Sequence, residues 1–532
     1  MSRSIRFVFL FAFLTSQVLI VSCGGGNGPV PPSSIHSSPT VIQTQYGALR
    51  GVATGNLYAF RGIPYAAPPV GNLRWKVPQA PTAWKGVRDA SKFGNVCPQI
   101  NYNGQLVGSE DCLTLNVFVS QKKSGKKQPV MIFLHGGGNA RGDAQSAPFD
   151  APPLATKGVV VVTLEYRVGM LGFFANPQLT TEGGGASGHY GLMDIIAALT
   201  WVQQNIAAFG GDPQHVMLFG QSAGSYDIQM LLAAPAAQGL FAVAGMESNV
   251  IPGGQLPSFS SVETADQGFV AAVGCSSAAD VLSCLRAVPA DTIVNLGFSW
   301  PGGPGIGSTF LPRDPFVDLQ QNGSPVPLMI GSTREEWAGV SDNPNTPLNT
   351  TGYSNAIHQR FDPVGPTVAS QVLSLYPAGA YSTPAYALIA VDSDYNMTCE
   401  VRTVARAAAG TNRKPVWRYL YVHDFENDLA LKTLGAFHTS ELYFIFGNYD
   451  PVSAPNLGVT YTPTAAEQTF SQDLMGYWTR FADTGDPNGS GAVTWPMYDP
   501  SADSMLQLDD TFLSINGYHN PECNYLVTLP QP

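Results

Sequence analysis

The stretch His215-Val-Met-Leu-Phe-Gly220-Gln-Ser222-Ala-Gly224-Ser-Tyr-Asp-Ile-Gln-Met-Leu-Leu-Ala-Ala234 decides how the chain folds. His215 to Phe219 reads as a short strand, and Ala223 to Ala234 reads as a helix behind it. Between them lies Gly220-Gln221-Ser222-Ala223-Gly224. A serine on a sharp strand-to-helix turn needs neighbours with almost no side chain, because the backbone there is strained and crowded. Such a turn lifts the hydroxyl above the sheet edge, at the positive end of the following helix. The pentapeptide alone is weak, since small residues are common. The strand before it and the helix after it give it weight, and Ser222 is the candidate nucleophile.

Outward from this turn the chain alternates between strands and helices. Pro129–Leu134 is a short apolar run suited to a buried strand, and Val159–Leu164 is a second, rich in β-branched valines. Ile195, Ile196, Leu199, Val202 and Ile206 recur at helical spacing, so Ile195–Ile206 is an amphipathic helix. Leu328–Ile330 and Val416–Val422 are later strand candidates. Alternation of this kind implies an α/β class with a mostly parallel sheet covered on both faces. Residues 235–320 and 340–410 are punctuated by Pro and Gly and carry scattered helical runs. They are expected to be excursions that wall a site, with no linker marking an independent domain.

A serine hydroxyl needs a base, and its tetrahedral intermediate needs an oxyanion hole. His135-Gly136-Gly137-Gly138-Asn139 follows the Pro129–Leu134 strand, and consecutive glycines let backbone N–H groups turn toward one point. Gly137 and Gly138 are the expected donors, with the N–H of Ala223 as the third. His135 reads as a structural residue of that loop, since it precedes the serine and this order of motifs places the base last. Downstream lie His358, His423, His438 and His519. His438 sits in a small-residue loop entering an apolar segment and is the expected base. His423, beside Asp424, is the runner-up, and a surface role suits it better. For the acid, the Leu328–Ile330 strand runs into Gly331-Ser-Thr-Arg-Glu335-Glu336-Trp337, where an orienting carboxylate belongs. Spacing does not choose between Glu335 and Glu336.

Composition narrows the setting. The 532 residues are 44% hydrophobic and 12% charged, with a formal net charge of −11. No basic run interleaves with aromatics, so nucleic acid is not an expected partner. Arg3 and Arg6 precede an apolar run from Phe7 to Val21, the pattern of an export signal. Leu19-Ile-Val-Ser-Cys23 resembles a bacterial lipobox, in which Cys23 would carry a lipid anchor. Residues 1–22 are thus read as a signal peptide, 23–40 as a Gly-, Pro- and Ser-rich tether, and 41–532 as the catalytic domain. Without Cys23, six of the seven cysteines remain, an even number in an exported chain. The simplest pairing is Cys97–Cys112, Cys275–Cys284 and Cys399–Cys523, although six cysteines allow fifteen. No CxxC occurs and no His stands at ligand spacing from a thiol, so no metal is expected.

Longer stretches resemble a known family. Phe209-Gly-Gly-Asp-Pro-Gln-His-Val-Met-Leu-Phe-Gly-Gln-Ser-Ala-Gly224 looks like the nucleophile signature of the type-B carboxylesterases, the cholinesterase-like branch of the α/β hydrolases. Glu110-Asp-Cys-Leu-Thr-Leu-Asn-Val117 resembles their second signature, and Phe60-Arg-Gly-Ile-Pro-Tyr-Ala-Ala-Pro-Pro-Val-Gly-Asn-Leu-Arg-Trp75 their amino-terminal segment. The resemblance runs from about Val41 to the carboxyl end and, with the lipobox, suggests a bacterial lipoprotein-like member. It implies an α/β-hydrolase fold and a triad of Ser222, Glu336 and His438. It also implies the three disulfides above, an Arg74–Glu110 ion pair, and no cofactor. Two departures bear on substrate. Gln221 stands where cholinesterases carry a glutamate, and the Cys97–Cys112 loop has no Trp to receive a quaternary ammonium. The expected partner is therefore a small, uncharged ester, short-to-medium chain or aromatic. A long-chain lipase or a non-catalytic surface-binding homologue is the alternative.

Overall fold

Two of the expected strands lie side by side and parallel in the middle of an 11-stranded sheet. The computed structural model describes residues 41–530, apart from residues 123–124, 249, 252, 254–255, 298–302, 341, 411–413, 450 and 455–456. Cys23 and the expected signal peptide and tether lie outside the described residues. In chain order the sheet strands are β1 (Val52–Thr54), β2 (Leu57–Pro64), β3 (Thr114–Ser120), β4 (Gln128–Leu134), β5 (Val160–Leu164) and β6 (Gly211–Gln221). They continue as β7 (Val243–Glu247), β8 (Leu328–Thr333), β9 (Val416–Tyr421), β10 (Ser504–Leu508) and β11 (Leu513–Asn516). Across the sheet the order is β11-β10-β9-β8-β7-β6-β4-β5-β3-β2-β1. From β5 to β10 neighbours are parallel, and the two edges are antiparallel.

The central strands are buried on both faces, so alternate residues of one strand feed two cores. Val130, Ile132 and Leu134 of β4 pack with Ile195, Leu199 and Val202 of helix α1 (Tyr190–Asn205) and with Ile228 and Leu231 of α2 (Ala223–Ala233). Met131 and Phe133 point the other way. They join Phe444 and Phe446 of α3 (Ser440–Phe446) and Leu474, Trp478 and Phe481 of α4 (Ala465–Thr484). Each large apolar side chain so buried contributes about 1.5–3 kcal/mol.

One strand differs from expectation. Val243–Glu247 falls in the stretch read as an excursion, yet forms β7 between β6 and β8. Its small centre hides it. A Cβ on Gly245 would lie 2.9 Å from that of Phe219 on the neighbouring strand, so the missing side chain makes room for a large one. The other expected strands and helices are present, with β6 extending back to Gly211. The excursions carry helices as expected, among them Phe259–Ala272, Thr350–Phe361 and Pro384–Ser393.

Disulfides join Cys97 to Cys112, Cys275 to Cys284 and Cys399 to Cys523, with Cα atoms 5.1, 5.7 and 5.0 Å apart. Arg74 grips Glu110 with Nε and Nη2, both at 2.6 Å, and its Nη1 reaches the carbonyl of Val288 at 2.6 Å. The ion pair thus ties the first disulfide loop to the segment just past the second.

Candidate active site

Chain order and sheet order diverge at β4, which lies between β5 and β6. Connections leaving such a switch point part to either side and open a crevice at the carboxyl ends of the strands. Phe133 pairs with Phe219 and Leu134 with Gly220, so the loops after β4 and β6 emerge level with each other. Those loops carry His135–Asn139 and Ser222.

Ser222 has φ 55° and ψ −124°, a left-handed conformation that costs a non-glycine residue about 1–3 kcal/mol. Its N–H donates to the carbonyl of Glu247 at 2.8 Å, and its own carbonyl accepts from Tyr226 at 3.0 Å. The flanking glycines are required by crowding. A Cβ on Gly224 would stand 2.2 Å from the carbonyl oxygen of Leu134, and one on Gly220 2.8 Å from the carbonyl carbon of Gly224. Ala223 opens α2, so its N–H has no acceptor one turn back.

The glycine loop lies against this turn: a Cβ on Gly136 would come 2.8 Å from that of Ser222. Gly137 turns at φ 116°, and its carbonyl accepts from Ala140 and Arg141, both at 3.2 Å. His135 is structural, as expected. It is buried and stacked on Tyr166 with ring centres 4.3 Å apart, and the Tyr166 hydroxyl donates to its carbonyl at 2.6 Å. Burial holds its imidazole below the usual range.

The choice between the two glutamates is made by the loop after β8. Glu336 is 0% exposed; its Oε1 accepts from the backbone N–H of Thr333 at 2.7 Å, and its Oε2 accepts from Nδ1 of His438 at 2.5 Å. Glu335 turns the other way, pairing with Arg334 and accepting from the N–H of Ala436 at 2.9 Å. Its own N–H donates to the carbonyl of Ala436 at 3.0 Å, so Glu335 stitches the two loops that carry Glu336 and His438. With Nδ1 donating to a carboxylate, Nε2 of His438 carries the lone pair. The side-chain amide of Gln221, next to Ser222, stands 3.2 Å from that Nε2 and 3.3 Å from Nδ1.

Two further buried acids back this group and leave no signal in the sequence. Glu247 ends β7 and accepts from Trp478 Nε1 at 2.8 Å; burial pushes its carboxyl up to about 8. Burial first, then Glu247 and Glu336, push Glu441 well above the carboxylate range.

The other downstream histidines are elsewhere. His358 is half-buried and paired with Asp362 at 2.9 Å, and His519 bonds Asp394 at 2.5 Å. The surface role expected for His423 is wrong, because it is buried between the rings of Phe444 and Phe470, 4.9 and 4.7 Å away. His423, Asp509 and Asp510 offer donor atoms within 4.8 Å of one another; burial lowers the imidazole, but the carboxylates around it outweigh that and lift it to about 9. Beside the glycine loop, a recess of about 20 Å³ is lined by Pro98, Ile100, Ala140, Val168 and Met170, without a charged side chain.

Comparison with known proteins points one way. The carboxylesterase family profile matches residues 38–526. Para-nitrobenzyl esterase of Bacillus subtilis (strain 168) is 34% identical over 88% of this chain and 94% of its own. Fumonisin B1 esterase of Sphingopyxis macrogoltabida is 33% identical over 90% and 88%, and cholinesterase of Mus musculus 30% identical over 91% and 86%. A solved thermophilic PNB esterase superposes with a TM-score of 0.76 at 31% identity, covering 91% of this chain and 99% of that one.

Proposed function

The chain belongs to the carboxylesterase family, has the α/β-hydrolase fold and is a carboxylic-ester hydrolase, and on that premise we propose that it works through an acyl-enzyme on Ser222. His438 takes the proton of the Ser222 hydroxyl as its oxygen attacks the ester carbonyl. Glu336 orients the imidazole and stabilises its charge. The N–H groups of Gly137, Gly138 and Ala223 stabilise the oxyanion. The alcohol departs with the proton returned by His438. Water activated by the same imidazole then releases the acid.

The observation that carries this reading is the 2.5 Å bond from His438 to a fully buried Glu336, beside the strained turn of Ser222. Uncharged esters, short-to-medium chain or aromatic, are the proposed substrates. A neutral amide at Gln221 and the kinship with para-nitrobenzyl esterase support that choice. Ser222→Ala is expected to lower turnover of p-nitrophenyl esters at least about 10⁴-fold and to abolish labelling by a fluorophosphonate probe. A protein labelled elsewhere, or a variant still active, overturns the assignment. A rate profile across acyl lengths separates the esterase from a long-chain lipase.

Export and a lipid anchor at Cys23 are proposed from Arg3, Arg6, the Phe7–Val21 run and the lipobox-like Leu19–Cys23. The three disulfides accord with an oxidising compartment. Palmitate incorporation by cells making the full chain should vanish in Cys23→Ser, with release from the membrane fraction. Unchanged fractionation removes the anchor.

A further inference from the structure

Asp227 is an anomaly inside the nucleophile helix. It lies on α2, five residues after Ser222, is 0% exposed, and sits in a helix whose residues are nearly all buried. No cation faces it among the described residues. Its Oδ1 accepts from Nδ2 of Asn139 at 2.7 Å, while Asp227 Oδ2 and Asn139 Oδ1 are buried without a hydrogen-bond partner. The titratable groups around it are Tyr166 and Tyr226, whose phenols burial holds above their usual range.

Asn139 closes the glycine loop. It adopts φ 54°, and its carbonyl accepts from the N–H of Gly169 at 2.6 Å. Backbone bonds from Ala140 and Arg141 to the Gly137 carbonyl hold the middle of the loop, while Gly138 is open: a Cβ there would meet nothing within 4 Å. Side chains fix only its two ends, His135 stacked on Tyr166 and Asn139 bonded to Asp227.

We propose that Asp227 is a positioning residue for ester hydrolysis, acting through Asn139 to fix the distance between the glycine loop and the nucleophile turn. The proposal rests on Ser222 as nucleophile and on Gly137 and Gly138 as oxyanion donors. Oxyanion stabilisation depends on donors preset at hydrogen-bond distance from a charge not yet formed, so a loop displaced by a fraction of an ångström loses rate rather than affinity. The protonation state of Asp227 matters to the contact. As a carboxylic acid it has a hydrogen for the unpartnered Oδ1 of Asn139, completing a two-point acid–amide pair; as a carboxylate it is an unpaired buried charge. Burial keeps that proton in place up to about pH 8, so the contact weakens as pH rises through that value.

The test compares full-length wild type with Asp227→Ala, Asp227→Asn and Asn139→Gly on p-nitrophenyl butyrate, from about pH 6 to about pH 9.5, alongside fluorophosphonate labelling of Ser222. Asp227→Ala and Asn139→Gly should each lower kcat about 10- to 100-fold with KM within about twofold, and the double variant should be no worse than either. Glycine tolerates the left-handed backbone at 139, so that variant removes the side chain without strain. Asp227→Asn can form both bonds and cannot ionise. It should keep kcat within about threefold at neutral pH and lose the part of the alkaline fall that centres near pH 8. Wild-type kcat in Asp227→Ala or Asn139→Gly overturns the proposal, as does an alkaline limb of Asp227→Asn that coincides with wild type. Should Asp227→Ala not fold, Asn139→Gly and Asp227→Asn decide. Absence of label on wild-type Ser222 defeats the acyl-enzyme reading instead, which keeps the two failures apart.

Discussion

His438 and His423 lie in neighbouring loops, and both imidazoles face carboxylates. His438 meets one, Glu336 at 2.5 Å, and its ring rests against a neutral amide from Gln221 with 19% of the side chain exposed. His423 is 2% exposed and meets three: Asp509 at 3.0 Å, Asp510 at 3.5 Å and Glu467 at 3.6 Å. Burial alone would lower the His423 imidazole, but its hydrogen bond to Asp509 and the nearby Glu467 carboxylate outweigh it and lift the group to about 9. Burial would likewise raise Glu467, yet the nearby His423 and a bond from Tyr461 bring it down to about 2. His423 is thus a standing cation that clamps the segment after β9 to the start of α4, where Glu467 also closes a capping box with Thr464. A base must accept and release a proton in each cycle. One carboxylate orients an imidazole for that, whereas three keep it charged.

The contrast can be broken by mutation. His438→Gln should lower kcat at least about 10⁴-fold and leave the melting temperature nearly unchanged. If His423→Gln shows that loss instead, the roles are reversed. Glu336→Gln should cost about 10²- to 10⁴-fold in kcat, and Glu335→Gln less than about tenfold, since only Glu336 touches the imidazole. Equal losses would mean that the two carboxyls act through the loop rather than through His438.

His423→Leu should keep kcat within about threefold while lowering the unfolding free energy by about 3 kcal/mol near neutral pH. The sign with pH follows from the direction of the shift. His423 titrates near 9 when folded, against 6.5 for an unperturbed imidazole. Its contribution is fully present below about 6.5 and lost as pH rises through about 9. Urea unfolding of the two proteins should therefore converge between about pH 7 and about pH 10; a constant gap would show that packing, not charge, holds His423.

The same pair marks how far the sequence can be read. His438 is legible because its loop of small residues precedes an apolar segment, a local pattern. His423 looks like a surface residue because its neighbour in sequence, Asp424, is polar, while Asp509, Asp510, Glu467 and Phe470 come from much later in the chain. β7 escapes a reading by pattern because Gly245 breaks its apolar run to admit Phe219 from β6. Glu247, Glu441 and Asp227 give no warning, since nothing in their immediate neighbours distinguishes a buried acid from a solvated one. An acid five residues beyond the nucleophile, on a helix buried on all sides, is the one of the three that helical burial could expose.

By itself the sequence determined what short-range sterics demand. The turn at Ser222 admits only Gly at 220 and 224, and Gly136 is needed where the loop after β4 passes within contact of that turn. Strand, turn and helix follow from the same few residues. Tertiary structure supplied the contact between Glu336 and His438 that the resemblance had only implied, and it alone decided which histidine is a fixed cation and that Asn139 is held by Asp227. Those are electrostatic and packing relations between segments from 86 to 102 residues apart. Proton affinity and orientation depend on what surrounds a side chain in space, and no local pattern of residues records it.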